Sequence, residues 1–200
     1  PVHPDPRYRD GRVNVLFLGR LEPRKGAMLL LQAFQQLQQE GLGIRLIVAG
    51  SGGEEAALRA YAASHAMRDV DFVGAFHASD TPSWYAAADI FCAPSPHGES
   101  FGIVVTEAMA SGKPVVAAAN EGYRTILTGE AARFLTPPGD VAALRDALRV
   151  QVRDAGLRAR LGEWGRGEAL RYDSRTLAPR LVEIYRQAIA DRAPKSRSAI

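Results

Sequence analysis

Short apolar runs, each leading into a helical pattern, constrain this chain more than any other feature. Residues 13–18, 44–49, 70–74, 89–93 and 114–119 are brief, mostly apolar and bounded by Gly, Pro or Asp, and 132–135 is a weaker sixth run. Such runs suit buried strands. Between them, 27–40 carries Leu30, Leu31, Phe34 and Leu37 on one helical face, and 54–66, 83–88, a segment opening near Ile103, and 123–127 also read as helices. Residues 141–171 are helical with a break near Ala155 and Gly156, and Asp173 or Ser174 caps a last helix reaching about Asp191. Strands alternating with helices across short links predict an α/β fold: a Rossmann-like parallel sheet of about six strands with helices on both faces. Residues 1–12 read as a linker, 13–172 as the domain, 173–192 as a separate C-terminal helix and 193–200 as a frayed tail. Ligands of such sheets sit beyond the carboxyl ends of the strands. The loops bearing Arg20, Gly50, Gly74, Glu99 and Asn120-Glu121-Gly122 all fall at that edge.

Composition excludes several classes. With 46% hydrophobic and 24% charged residues the chain is an ordinary globular one. A single cysteine, Cys92, excludes an internal disulfide framework and fits a reducing, cytoplasmic compartment; it lies in an apolar run and reads as a buried thiol, not a nucleophile. No run of eighteen apolar residues or signal-peptide pattern is present. The net charge of +3 is uneven: residues 141–200 hold 13 of the 25 Lys/Arg but 7 of the 22 Asp/Glu. No motif or aromatic interleaving marks a nucleic-acid partner. The basic C-terminal helices are solvated faces, or a surface for an anionic membrane or an acidic partner domain. The chain opens Pro1-Val2-His3 with no initiator Met and reads as an excised or processed piece.

Chemistry concentrates in 96–116. Glu99 and Glu107 stand eight positions apart across a loop-to-helix boundary, Gly112 is placed to close the helix, and Pro114 to open the next strand. Ile103, Val104, Val105, Ala108, Met109 and Ala110 make the helix apolar nearly all round, so burial on most faces is expected. A carboxylate there needs a partner, either a bound sugar or ribose or a distant Arg. Along the axis the two carboxylates should lie on the order of 10 Å apart, wide for two groups acting on one bond but suited to separate contacts on an elongated ligand. The loop 19–26 places Arg20, Arg24 and Lys25 at a helix start, where free N–H groups and the dipole attract anions. Arg20 can fork onto phosphate oxygens with Lys25 beside it, and Arg24 reads as the solvated member; three surface cations are the alternative. The N–H groups of Phe101, Gly102 and Ile103 open the other helix, and Gly102 permits close backbone approach. No P-loop is present. Gly50-Ser51-Gly52-Gly53 matches only two glycines of the dinucleotide fingerprint and reads as a tight turn, with ligand approach left open. His3, His65, His77 and His97 are scattered without ligand spacing, so no metal site is expected, and His97 reads as a loop residue.

Gly19-Arg20, Lys25-Gly26, Glu99-Ser100-Phe101-Gly102 and Glu107-Ala108-Met109-Ala110 together resemble the retaining glycosyltransferases of family 4, over about 13–185. Glu22-Pro23-Arg24-Lys25-Gly26, Cys92-Ala93-Pro94 and the 97–104 segment are most similar to the bacterial phosphatidylinositol mannosyltransferases. The resemblance implies the C-terminal, donor-binding half of a GT-B fold. The N-terminal acceptor-binding lobe would lie outside this chain, and helix 173–192 would pack toward it. It implies transfer of a hexosyl group, mannose from GDP-mannose, to a lipid or glycan acceptor with retention of configuration. No motif calls for a metal or cofactor, and the expected location is cytoplasmic, with the basic C-terminal helices offering a peripheral hold on the inner membrane face. By position, the resemblance assigns Arg20, Lys25 and Glu99 as catalytic. It gives Gly19, Gly74, Phe76, Ser100, Phe101, Gly102, Ile103 and Glu107 to the donor, with Arg20 and Lys25 on its diphosphate, Glu99 on the sugar and Glu107 on the ribose. The chain departs from many members at Glu121-Gly122-Tyr123-Arg124-Thr125 and at Arg175, where an aromatic is usual. A sugar-nucleotide-binding module without turnover and a GT-B sugar-nucleotide epimerase are the competing readings.

Overall fold

A computed structural model describes residues 5–192. Six strands, β1 (Val13–Leu18), β2 (Ile44–Ala49), β3 (Val70–Gly74), β4 (Ile90–Ala93), β5 (Val115–Ala118) and β6 (Leu135–Thr136), form one parallel sheet in the order β3-β2-β1-β4-β5-β6. Every residue of β2, β4 and β5 is buried, so the sheet is covered on both faces, as the near-continuous apolar runs require. The covering helices are α1 (Ala27–Gln39), α2 (Glu55–Ser64), α3 (Thr81–Ala87), α4 (Ile103–Ala110), α5 (Glu121–Ile126), α6 (Val141–Arg153) and α7 (Ala155–Ala169), followed by α8 (Ser174–Arg192). The α/β Rossmann-like sheet expected from the sequence is the one found.

Local differences have local causes. Residues 129–134 form a 3-10 helix that buries Ala131 and Phe134, three apart, and the last strand starts only at Leu135. The break between α6 and α7 falls at Asp154, whose carboxylate accepts from the Leu157 amide at 2.8 Å, while Arg158 caps α6 by donating to the Gln151 and Val152 carbonyls. Helix α4 is not buried all round. Val105, Ala108 and Met109 face the core, but Ile103 is 67% exposed at the open edge of the sheet. Behind α4, Gly162 and Gly165 of α7 allow close approach: a Cβ on Gly162 would stand 2.3 Å from the Gly112 carbonyl oxygen.

Residues 5–12 pack on the sheet's amino edge instead of trailing as a linker. Tyr8 is buried, edge-on to Trp84, and Arg45 of β2 reaches Asp10 and the Arg7 carbonyl. His3 and the tail 193–200 lie outside the described residues. Of the C-terminal arginines, Arg149 forks onto Glu40 (Nε–Oε2 2.8 Å) and Asp146, and Arg153 also reaches Glu40, whereas Arg171, Arg175 and Arg186 stay largely exposed. Helix α8 leaves Leu181, Ile184, Tyr185 and Ile189 exposed. Among the described residues no helix is long and apolar enough to cross a membrane.

Candidate active site

Strand order reverses between β1 and β4, and the loops leaving these two strands meet. Gly26, in a left-handed conformation (φ 75°), lies so close to the second loop that a Cβ would stand 2.4 Å from the Pro94 carbonyl oxygen. The first loop is pinned from the other side. Leu21 is buried, its amide donates to the Ser51 carbonyl (2.9 Å), and its carbonyl accepts from the Glu54 amide (3.0 Å). This explains the glycines at 50 and 52. Cβ atoms there would stand 1.8 Å from the Gly19 oxygen and 2.4 Å from the Leu21 oxygen. The turn read from the sequence is there, and the backbone that packs on it is that of the neighbouring loop.

Joined loops bring charge together. Gly19, Arg20, Arg24, Lys25, Ser95, Val104 and Tyr123 line a cavity of about 150 Å³ at the switch point. Lys25 Nζ is paired with Glu99 Oε1, which also accepts from Ser95 Oγ at 3.4 Å and has Arg24 Nη1 3.8 Å away. Glu22 bridges the two arginines, meeting Arg20 at 2.8 Å and Arg24 at 2.9 Å. The solvated member of the trio is Arg20, with 67% of its side chain exposed against 33% for Arg24, the reverse of the expectation. Arg24 passes alongside Gly98, where a Cβ would stand 3.9 Å from its Cδ, an ordinary contact.

A layer that the sequence reading missed holds Glu99 from behind. The Tyr123 hydroxyl donates to Ser95 Oγ (3.4 Å), Asn120 Nδ2 donates to the Ser95 carbonyl (3.1 Å), and the Gly122 amide donates to the Glu99 carbonyl (3.2 Å). Asn120 also caps α5 through the Tyr123 amide, the one signal that could have exposed this layer, since Asn before a helix marks a cap. Burial holds the Tyr123 hydroxyl up at about 12, so it stays a donor. Cys92 borders the same cavity, fully buried, and burial pushes its thiol up, which suits an inert strand residue.

The start of α4 borders the first cavity through Val104. Its first N–H groups have no intrahelical acceptor. Phe101 and Ile103 stand exposed beside them, Phe101 edge-on to Tyr172 with ring centres 5.3 Å apart; Ser100 is exposed as well. Gly102 (φ 98°) does allow close approach, but by Tyr123, whose ring would lie 2.4 Å from a Cβ there.

Glu107 belongs to a second cavity, of about 380 Å³, with Ala78, Thr81, Pro82, Tyr85, Ala110 and Ser111. Within the chain its partner is a hydroxyl and not a distant Arg: the Tyr85 hydroxyl reaches Glu107 Oε2 at 3.0 Å and the Val104 carbonyl at 3.1 Å. The structure therefore does not gather every sequence-nominated residue into one cavity. Arg20, Lys25 and Gly19 line the first and Glu107 the second, with Val104 bordering one and joined to the other through Tyr85. Gly74 accepts from the Gly50 amide at 3.0 Å and Phe76 packs edge-on to Trp84, so neither lines the cationic cavity. Exposed His97 borders a shallow cleft with Glu99, Ser100 and Glu121. Among the described residues no three His, Cys, Asp or Glu gather as a metal-holding group.

The family description "Glycosyl transferases group 1" matches residues 3–168. The chain belongs to this family. It is 39% identical over 172 residues to a phosphatidyl-myo-inositol mannosyltransferase of Mycobacterium leprae, covering 86% of this chain and 46% of that protein. It is 37% identical over 179 residues to a D-inositol 3-phosphate glycosyltransferase of Xylanimonas cellulosilytica, covering 87% of this chain and 42% of the relative. The chain thus spans about half the length of the curated relatives it matches. Among solved structures, Anabaena HepE in complex with UDP and glucose superposes with a TM-score of 0.80 at 28% identity, over 88% of this chain and 48% of that one. The resemblance seen in the sequence is upheld, and the glycosyltransferase fold here is the GT-B Rossmann-like half.

Proposed function

We propose that this chain is the donor-binding half of a retaining hexosyltransferase that takes mannose from GDP-mannose and passes it to a lipid or glycan acceptor. The observation that carries the reading is the meeting of Arg20, Arg24, Lys25 and Glu99 on two loops at the β1/β4 switch point. The bound UDP and glucose named for HepE, and the mannosyltransferase names of the mycobacterial relatives, support a sugar nucleotide at this edge. In this reading Arg20 and Lys25 hold the diphosphate and stabilise the charge that develops as it leaves. Glu99, joined to Lys25, receives sugar hydroxyls with the amides opening α4, beside Gly19, Ser100, Phe101, Gly102 and Ile103. Glu107 takes the ribose, and Gly74 and Phe76 border the base. The acceptor attacks the face from which the nucleotide departs, which retains configuration. Arg20 and Lys25 supply the positive charge for the leaving group, and no resident metal or cofactor is assigned. The acceptor-binding lobe belongs to an N-terminal half like that of the longer relatives, and the exposed apolar side of α8 docks against it. The inner face of the membrane is the expected working place, through the basic C-terminal helices.

Calorimetric titration with GDP-mannose, UDP-glucose and GDP tests the core of this. Micromolar binding is expected, with GDP-mannose preferred. Arg20→Ala and Lys25→Ala should each weaken it by roughly tenfold to a hundredfold, the range of a lost charge-assisted hydrogen bond. Unchanged affinity in both variants overturns the diphosphate assignment. Turnover of GDP-mannose by the whole protein, unaffected by EDTA, separates transfer from mere binding.

A further inference from the structure

Tyr85 is a residue that none of the motifs selects. It lies in α3, is 2% exposed, and rests edge-on against Phe91 of β4, with ring centres 5.5 Å apart. Its one hydroxyl proton faces two acceptors at nearly equal distance, Glu107 Oε2 (3.0 Å) and the Val104 carbonyl (3.1 Å). Both acceptors belong to α4, one beside each cavity. The bond to Oε2 engages one of the two carboxylate oxygens, and Glu107 lines the second cavity beside Thr81, Pro82 and Ala110.

We propose that Tyr85 is the positioning residue that presents Glu107 to the vicinal ribose hydroxyls of the nucleotide, and so sets the preference for a ribonucleotide. This rests on the donor-site reading above. The hydroxyl suits the task because it is neutral. A lysine or arginine in its place would neutralise Glu107 and compete for it, whereas a phenol leaves a full negative charge to receive two hydroxyl donors. Burial, and next the charge of Glu107, push the Tyr85 hydroxyl far above its ordinary value, so it remains protonated wherever the enzyme would work. The flanking Thr81, Pro82 and Ala110 bring no cation, so the ribose hydroxyls meet a carboxylate oriented by a hydroxyl alone.

The test compares GDP, 2′,3′-dideoxy-GDP and inorganic pyrophosphate as ligands of the full chain. The wild-type protein should bind GDP at least tenfold more tightly than the dideoxy analogue. Tyr85→Phe, which keeps the ring and its packing, should bind GDP three- to tenfold more weakly, with the ribose preference reduced to about threefold or less and pyrophosphate affinity unchanged. Glu107→Gln should remove most of the preference, and adding Tyr85→Phe to it should change little more. Full preference in a folded Tyr85→Phe protein overturns the inference while leaving the diphosphate site standing. Failure of the wild-type chain to bind either nucleotide overturns the donor-site reading and this inference with it. A measurement without any variant covers the case in which Tyr85→Phe does not fold. The buried hydroxyl proton of Tyr85 should appear in the wild-type spectrum and shift with GDP but not with pyrophosphate; equal shifts with both, or none, overturn the assignment.

Discussion

Two glutamates, Glu99 in the loop that leads into α4 and Glu107 within its second turn, are the same residue in opposite surroundings. Glu99 is met by Lys25, with Arg24 close by and Ser95 and Tyr123 behind. Glu107 is met by one tyrosine hydroxyl. A carboxylate already paired with a cation shares that cation with an arriving anion, so the Glu99 end works by rearranging charge. A carboxylate held by a neutral donor keeps its charge for the ligand, so the Glu107 end works by accepting hydroxyls. The helix between them, apolar on its core side and backed by α7, keeps the two ends at a fixed spacing.

The largest effects should come from crossing the two ends with the two halves of a nucleotide. Lys25→Ala should cost inorganic pyrophosphate about a hundredfold in affinity, on the order of 2.7 kcal/mol, while Glu107→Gln leaves pyrophosphate binding within twofold. Raising salt from 50 to 500 mM should weaken pyrophosphate strongly and leave the ratio of GDP to its dideoxy analogue nearly unchanged, since only the first depends on exposed charge. A calorimetric series in which Glu107→Gln weakens pyrophosphate as much as Lys25→Ala does would collapse the distinction.

Next come perturbations of the helix itself, through the glycines of α7. In a helix interior Ala is better than Gly by roughly 0.5–1 kcal/mol. Against that gain, a Cβ on Gly162 would stand 2.3 Å from a backbone oxygen, on Gly165 3.3 Å from the flexible Met109 side chain, and on Gly167 within 4 Å of nothing. Gly162→Ala should therefore destabilise by about 1–3 kcal/mol, Gly165→Ala should be near neutral, and Gly167→Ala should stabilise by up to ~1 kcal/mol. Thermal unfolding reads the series directly. Because both cavities share α4, Gly162→Ala should weaken pyrophosphate binding and the ribose preference together. Loss of only one would show that the ends move independently.

The sheet was legible because its strands are short, apolar and separated by helices, a pattern set by burial on both faces. Gly112 closing α4 was legible for the same local reason, and it does so with a left-handed φ of 68°. Arg20, Lys25 and Glu99 were nominated from loop position, since topology alone carries strand ends to one edge. The partners of those residues were not legible. Tyr85 lies 22 positions from Glu107, and Ser95 is 28 from Tyr123, so nothing in local spacing couples them. The glycines at 50 and 52 read as a tight turn, and a tight turn is what they form, but its close neighbour was not legible. A missing Cβ signals that something comes close without saying what, and here it is the neighbouring loop. Packing of residues 5–12 was hidden too, because a single buried tyrosine and the Arg45–Asp10 pair leave no periodic trace.

The smallest expected effect concerns the hydroxyls behind each glutamate. Tyr123 supports the Glu99 end and Tyr85 the Glu107 end, and burial raises both above the ordinary 10.0, Tyr123 to about 12. A raised folded-state value means that the stabilisation is complete below pH 10, where both states keep the proton. It falls as pH climbs toward 12, because the unfolded chain releases its proton first. The wild-type protein should accordingly lose stability between pH 10 and about 12, by about 1 kcal/mol at pH 11 from Tyr123 alone. Tyr123→Phe should flatten that part of the curve. Tyr85, buried against a full carboxylate, should hold its proton longer than Tyr123, so Tyr85→Phe should flatten a limb that extends further into alkali. Urea titrations at half-unit pH steps measure both. Limbs of the same extent in the two variants would mean that Glu107's charge does not reach its tyrosine, and the contrast between the two ends of α4 would then be one of position alone.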